Sequence, residues 1–137
     1  MAPINDYAQF IECLATVGFM TLSFVRADIP ALAAETSPVQ WHTGDPETDP
    51  WGWKDRAAEE KRLAYGCILG GHKGFIAPAL YPLFFRACHP AHSLEERWHA
   101  GEINQTTWNL WRLFERKEIL DTAEVRKSLG VTASRGA

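Results

Sequence analysis

The sequence predicts a mainly α fold (α+β), in which a helical domain carries a small β-hairpin and ends in a partial helix-turn-helix. Three observations predict it. Apolar residues recur at helical spacing in the first and last thirds of the chain. A glycine pair near residue 70 separates two short apolar runs, which is typical of a hairpin. The tail follows the pattern of a helix, a short turn and a capped second helix.

The length of 137 residues indicates one domain. Within it, we expect residues 1–101 to form a helical part with a Trp-rich loop and the hairpin. We expect residues 102–137 to form a partial winged-helix or helix-turn-helix segment that packs with the first part as one domain.

The composition indicates a soluble cytoplasmic protein. Hydrophobic residues make up 46% of the chain and charged residues 23%, as in globular proteins. The three cysteines are an odd number without CxxC spacing, so we expect reduced thiols. The uncharged run at residues 13–25 is shorter than the roughly 20 residues that cross a membrane. We therefore expect no membrane partner.

The first third predicts a helix, a strand and a short helix. Asn5 or Asp6 can cap a helix that extends to Val17, and Gly18 suits its C-terminal end. Residues 19–25 contain enough β-forming residues for a strand, and residues 30–35 suit one or two helical turns.

The middle of the chain predicts a helix, the hairpin and another helix. Asp49 can cap a helix that begins at Pro50 and continues to about Arg62. Residues 63–76 form the hairpin around its glycine pair, and a helix follows at residues 78–88.

The last third predicts three helices. Ser93 caps the first, with Glu96 placed for a capping box. Residues 102–115 carry a broad apolar stripe that indicates the second helix. Thr122 is expected to cap the third, and Gly130 to end it.

The loop at residues 37–50 is the first candidate site, because long ordered loops often carry function. His42 could act as an acid or base, with Asp45, Glu47 or Asp49 as its carboxylate partner. A planar ligand such as a base could stack on the neighbouring indoles of Trp41, Trp51 and Trp53. In the alternative interpretation, the Trp residues pin the loop to the core and Asp49 only caps a helix.

No metal site or cofactor is expected. Cys88, His89 and His92 lie close together in sequence, but a second Cys/His pair, which a zinc site needs, is absent. The glycines at residues 66–74 match neither the phosphate-binding loop nor the dinucleotide-binding motif.

The tail is the second candidate site. Residues 1–96 contain 7 Lys and Arg against 12 Asp and Glu, whereas residues 97–137 contain 7 against 5. Basic side chains could contact phosphates, which gives affinity without sequence readout. These are Arg112, Arg116, Lys117, Arg126, Lys127 and Arg135. The alternative is an ordinary helical hairpin with a solvated charged face.

Three strings resemble one family of small bacterial proteins, called AlkZ-related. They are WHTGDPETDPWGWKDR at residues 41–56, YGCILGGHKGFIAPALYPLF at residues 65–84 and WRLFERKEILDTAEVRKSLGV at residues 111–131. The family is distantly similar to winged-helix DNA glycosylases of the AlkZ and YcaQ type, which excise alkylated bases. The resemblance implies a winged-helix tendency and a role related to DNA repair.

The chain departs from the glycosylase pattern at the catalytic motif, which is Gln-x-Gln or Gln-x-Asp. Gln40 is followed by Trp41 and His42, and Gln105 is followed by two threonines. The resemblance therefore carries over no catalytic residue. It also implies a recognition helix and wing after Gly130, so we expect a segment truncated after the first helices of the winged helix.

Three functions remain open from the sequence. The first is weak binding to duplex DNA through the basic tail. The second is a structural or protein-interaction domain, such as a homodimer formed through the aromatic residues at 108–114. The third is a glycosylase-like enzyme that uses the Trp-His loop.

Overall fold

The computed structural model describes residues 3–36 and 39–130. These residues divide into two compact units, with the boundary between His89 and Pro90. We call residues 3–89 unit 1 and residues 90–130 unit 2, and we describe each by itself.

Unit 1 contains four helices and a three-stranded sheet. Its elements, in chain order, are α1 (Tyr7–Val17), β1 (Phe19–Thr21), α2 (Leu32–Glu35), α3 (Pro50–Glu59), β2 (Ala64–Leu69), β3 (His72–Ile76) and α4 (Tyr81–Cys88). Unit 2 contains the three helices α5 (Leu94–His99), α6 (Gln105–Arg116) and α7 (Thr122–Leu129). The predicted mainly α (α+β) fold is confirmed.

The core of unit 1 forms where α1 and α3 meet the sheet. Phe10 of α1 stacks on Trp53 of α3, with ring centroids 5.6 Å apart, and meets Phe75 of β3 edge-on at 5.1 Å. All three rings are fully buried. Because each aromatic ring removes about 150–250 Å² from water, this trio is a large part of the hydrophobic driving force.

The sheet is antiparallel, with β3 between β1 and β2. Gly70 and Gly71 connect β2 to β3 with φ angles of 56° and 88°, and a two-residue hairpin turn of this kind favours glycine. The predicted hairpin is confirmed, but its pairing with β1 was not foreseen. The predicted strand at residues 19–25 ends at Thr21, which forms a parallel bridge with Ala31.

Several predicted helix ends are confirmed. The Asp6 side chain accepts a hydrogen bond from the Gln9 N–H, and Gly18 follows the last residue of α1. Asp49 caps α3 with Pro50 in its first turn. Ser93 and Glu96 form the expected capping box of α5.

Other helix ends differ from the sequence expectation. The α3 helix ends at Glu59 because Lys61 has a φ of 55° and Arg62 donates its N–H to the Ala57 carbonyl at 2.8 Å. The expected cap at Thr122 is wrong, since Asp121 and Glu124 form the capping box of α7. The α4 helix begins at Tyr81, three residues after Pro78, and α6 begins after its cap Asn104.

Unit 2 has no fully buried side chain among residues 90–130. Its centre is a cluster of half-buried indoles, in which Trp98 stacks on Trp108 at 5.3 Å and Trp108 lies 4.9 Å from Trp111. Gly130 ends α7 in the left-handed conformation, as predicted. No helix in residues 3–36 and 39–130 has both the length and the apolar character that crossing a membrane requires.

Candidate functional site

The carboxylate of Asp49 organises the Trp-rich loop. Its Oδ1 accepts hydrogen bonds from the backbone N–H groups of His42 at 2.9 Å and Trp51 at 3.0 Å. Its Oδ2 accepts one from Gly44 at 2.9 Å. Asp49 therefore joins the loop to the first turn of α3, and it is 4% exposed.

Burial of the Asp49 carboxyl raises its pKa, but the N–H donors of Gly44, His42 and Trp51 outweigh this effect. The pKa of Asp49 consequently lies below its ordinary value. A carboxylate with three backbone donors and a lowered pKa is a poor general base near neutral pH. This arrangement favours the structural interpretation of Asp49.

His42 occupies the left-handed region, with a φ of 63°, which is uncommon for a residue with a side chain. Its imidazole is exposed and lies against the Trp51 indole, with ring centroids 4.9 Å apart. The Lys54 ammonium lies 4.4 Å from the centre of the same indole. Trp51 itself remains 42% exposed and faces solvent, whereas the Lys54 side chain is 12% exposed and pairs with Asp55 at 2.6 Å.

Asp45, the third catalytic candidate, is exposed and serves the local turn. Its carboxylate accepts a hydrogen bond from the Glu47 N–H at 2.8 Å. This donor and the Thr48 hydroxyl lower the pKa of Asp45. A glycosylase-like role for the loop stays a prediction, and it now depends on the exposed imidazole of His42, because hydrogen-bond donors lower the pKa of both Asp45 and Asp49.

The three indoles proposed for ligand stacking lie in different environments. Trp53 is fully buried against Phe10, so it offers no face to a ligand in this structure. Trp41 is half-buried and donates its Nε1–H to the Thr36 hydroxyl at 3.1 Å. Trp51 is the one of the three with substantial exposure. The loop indoles therefore divide between packing and the surface.

A network that the sequence analysis did not identify ties the loop to α1. Arg56 donates to Glu47 Oε1 at 2.8 Å and to Glu60 Oε1 at 2.9 Å. Its guanidinium lies 3.8 Å from the centre of the Tyr7 ring, and the Tyr7 hydroxyl donates to Glu60 Oε2 at 2.7 Å. The Arg56 to Glu60 spacing of four residues was the available sequence signal.

The basic residues of the tail fall into two groups. Arg112 pairs with Glu115 at 3.3 Å, and Lys117 pairs with Glu124. Arg116, Arg126 and Lys127 are exposed and form no ion pair with any described residue. Arg135, which was also expected to contact phosphate, lies outside the described residues.

Metal-binding side chains do not converge in the part of the chain that the structure describes. No group of three or more His, Cys, Asp and Glu side chains lies close enough to hold an ion there. Cys67 and Cys88 are exposed, and Cys13 is half-buried.

Comparison with protein families found one match. The family model described as AlkZ related matches residues 4–137, which is nearly the whole chain. Comparisons with curated proteins and with solved structures found no match. Because the family model covers both units, the chain belongs to the AlkZ-related family.

Proposed function

We propose that this chain binds duplex DNA weakly, through phosphate contacts made by α6 and α7, in a role related to DNA repair. The family membership supports the relation to DNA repair. The observation that carries the proposal is the set of exposed cations in unit 2 that form no ion pair with a described residue, Arg116, Arg126 and Lys127. Unpaired exposed cations can exchange their counterions for phosphate contacts.

All three cations lie near the C-terminal ends of their helices. Arg116 lies in the last turn of α6, and Arg126 and Lys127 lie in the last turn of α7. The two helices pack against each other, which limits their relative movement. An ordered pair of helices loses less conformational entropy on binding than a flexible tail.

The charge balance of unit 2 keeps the proposed affinity low. Residues 90–130 contain 6 Lys and Arg but 7 Asp and Glu. Carboxylates such as Glu115 and Glu118 would repel phosphates near the basic side chains. We therefore expect a dissociation constant of about 10⁻⁴ to 10⁻⁶ M, the range of non-specific binding at physiological salt.

Base readout does not form part of the proposal. In a helix-turn-helix, the second helix enters the major groove and contacts base edges. The α7 helix has the eight residues Thr122–Leu129, and Gly130 is its C-cap. We expect binding that responds to the charge of the nucleic acid and hardly to its sequence.

The test compares two triple variants with the wild-type chain by fluorescence anisotropy on a 20-base-pair duplex at 50 mM salt. The first variant is Arg116→Gln, Arg126→Gln and Lys127→Gln. The matched control removes the same residue types from unit 1: Arg26→Gln, Lys73→Gln and Arg86→Gln. All three control cations are exposed, and Lys73 and Arg86 form no ion pair with a described residue.

We expect the first variant to bind at least tenfold more weakly and the control to change affinity by less than about threefold. Equal losses in both variants would show a response to net charge alone, against a surface on α6 and α7. Absence of wild-type binding at 50 mM salt would also contradict the proposal.

Self-association is a second candidate function, favoured by the exposed apolar surface of unit 2. Phe114 is 45% exposed and Ile119 is 79% exposed. Residues 90–130 bury no side chain completely. A second copy of the chain could therefore cover apolar surface that is exposed to solvent in the monomer.

Light scattering across a range of protein concentrations tests this candidate. We expect a dimer that the variant Phe114→Ser with Ile119→Ser dissociates. Leu83→Ser is the control, since Leu83 is 63% exposed on α4 of unit 1. A wild-type chain that stays monomeric at every concentration would exclude the candidate.

A further inference from the structure

We propose that unit 1 binds amphiphilic anions, molecules with an apolar body and one anionic group, in a groove beside Lys61. The groove lies between α1, the turn from α3 to β2 and the start of α4. We call it the Lys61 groove and define it by Ile11, Ala15, Lys61, Arg62, Leu63 and Pro78. This proposal is independent of DNA binding by unit 2.

Two adjoining concavities make up the Lys61 groove. Each has a volume of about 250 Å³, and both are lined by Lys61 and Pro78. The remaining wall is mostly apolar, with Ile11 and Ala15 on one side and Leu63 on the other. Ligand sites commonly span about 300–1,000 Å³, so each concavity lies just below that range and suits only a small ligand.

The charges along the groove favour a ligand whose polar group is negatively charged. Lys61 and Arg62 are exposed and form no ion pair with a described residue. The described residues that line these two concavities include no Asp or Glu, whereas Glu12 and Glu60 line a neighbouring concavity that shares Ile11, Ala15 and Arg62. In contrast, the nearby Arg56 forms ion pairs with Glu47 and Glu60. Arg62 also interacts electrostatically with Glu60, whereas Lys61 borders both concavities. An apolar wall beside Lys61, with Arg62 at its edge, complements an apolar chain that ends in a carboxylate.

The backbone at Lys61 provides a second, independent observation. Arg62 donates its N–H to Ala57 at 2.8 Å, and Lys61 donates to Ala58 at 3.1 Å. These bonds form the helix-ending motif whose left-handed position usually holds glycine. Lys61 occupies that position with a φ of 55°. Strained residues persist preferentially at functional sites, and here the strain presents a cation to an apolar groove.

The experiment uses three probes of equal chain length: octanoate, octan-1-ol and octylammonium. Each is titrated into the ¹⁵N-labelled full chain, and amide shift changes locate the binding. We expect octanoate to shift amides of α1 and of β2 near Leu63. We expect its affinity to exceed that of octylammonium at least fivefold, because the cations Lys61 and Arg62 border the groove.

Variants of the groove and a control variant distinguish a loss of the groove cations from a change in the stability of the fold. Lys61→Gln with Arg62→Gln should weaken octanoate binding about fivefold and leave octan-1-ol binding unchanged, whereas Lys73→Gln with Arg86→Gln should change neither. Lys61→Gly should raise Tm by a few degrees, because glycine relieves the left-handed strain, while weakening octanoate binding. Equal binding of octanoate and octylammonium, or octanoate shifts outside the groove, would overturn the proposal.

Discussion

Asp49 Oδ1 accepts the backbone N–H of His42 at 2.9 Å and that of Trp51 at 3.0 Å, so one carboxylate oxygen joins a loop to the helix that follows it. His42 has a positive φ, and its backbone N–H is held by this hydrogen bond. The His42 ring then rests on the exposed Trp51. Asp49 thus shapes the surface of the loop from a buried position.

Replacement of Asp49 should destabilise unit 1 strongly. Asp49→Ala removes a helix cap and two further charge-assisted hydrogen bonds, so we expect a loss of about 2–4 kcal/mol in the free energy of unfolding. Urea denaturation measures the change. Asp45→Ala is the control, since the exposed Asp45 supports only its own turn, and it should cost less than about 1 kcal/mol. Equal losses in the two variants would contradict the organising role of Asp49.

The contribution of Asp49 should also depend on pH. Its pKa is lowered in the folded chain, so its stabilising effect is complete above the ordinary Asp pKa of about 3.9. The effect is lost as the pH falls through the lower folded pKa. The difference in unfolding free energy between wild type and Asp49→Asn should therefore stay constant from about pH 5 to 7 and shrink in more acidic solution. A difference in unfolding free energy that grows as the pH falls would contradict a lowered pKa of Asp49.

Two paired glycines in the sheet should respond oppositely to alanine. Gly74 and Gly66 face each other across β3 and β2. A Cβ at Gly74 would lie 2.6 Å from the Met20 carbonyl oxygen and 2.7 Å from Ile68 Cδ1, whereas a Cβ at Gly66 meets no atom within 4 Å. We expect Gly74→Ala to cost about 1–3 kcal/mol and Gly66→Ala to be neutral or slightly stabilising. Thermal denaturation of both variants distinguishes them.

The phenol of Tyr7 should lose its proton at a higher pH than an ordinary tyrosine. Burial and the hydrogen bond to Glu60 raise the pKa of Tyr7 to about 12. Because this value exceeds the ordinary 10.0, the stabilising effect is complete below pH 10 and is lost as the pH rises through 12. Tyr7→Phe should cost about 1–1.5 kcal/mol at pH 8 and weaken the decline of stability above pH 10. A Tyr7 absorbance transition near pH 10 would contradict this account.

Local signals predicted most of the helices and the hairpin because each depends on residues close in sequence. Asp6, Ser93 and Gly130 act within one helical turn of their own positions. The pairing of β1 with β3 was not foreseen, since it joins Phe19 to Ile76 across more than fifty residues. Sequence patterns carry little information about such distant contacts.

The prediction of the candidate site was incomplete for a similar reason. The loop and its residues were identified, but their separation into buried and exposed groups was not. Trp51 and Trp53 lie two positions apart on α3, roughly 200° around the helix, so they face opposite sides. That spacing was the available signal against one shared stacking pocket. The sequence predicted that Asp49 caps α3, but its hydrogen bonds from the N–H groups of His42 and Gly44 depend on loop geometry that no sequence pattern specified.

The salt dependence of DNA affinity tests the proposed phosphate contacts most directly. Each phosphate contact contributes about −0.9 to the slope of log K against log salt concentration on duplex DNA. We expect the variant Arg116→Gln, Arg126→Gln and Lys127→Gln to have a slope smaller in magnitude by roughly 3 than that of the wild-type chain. Identical slopes for the two proteins would contradict phosphate contact by α6 and α7.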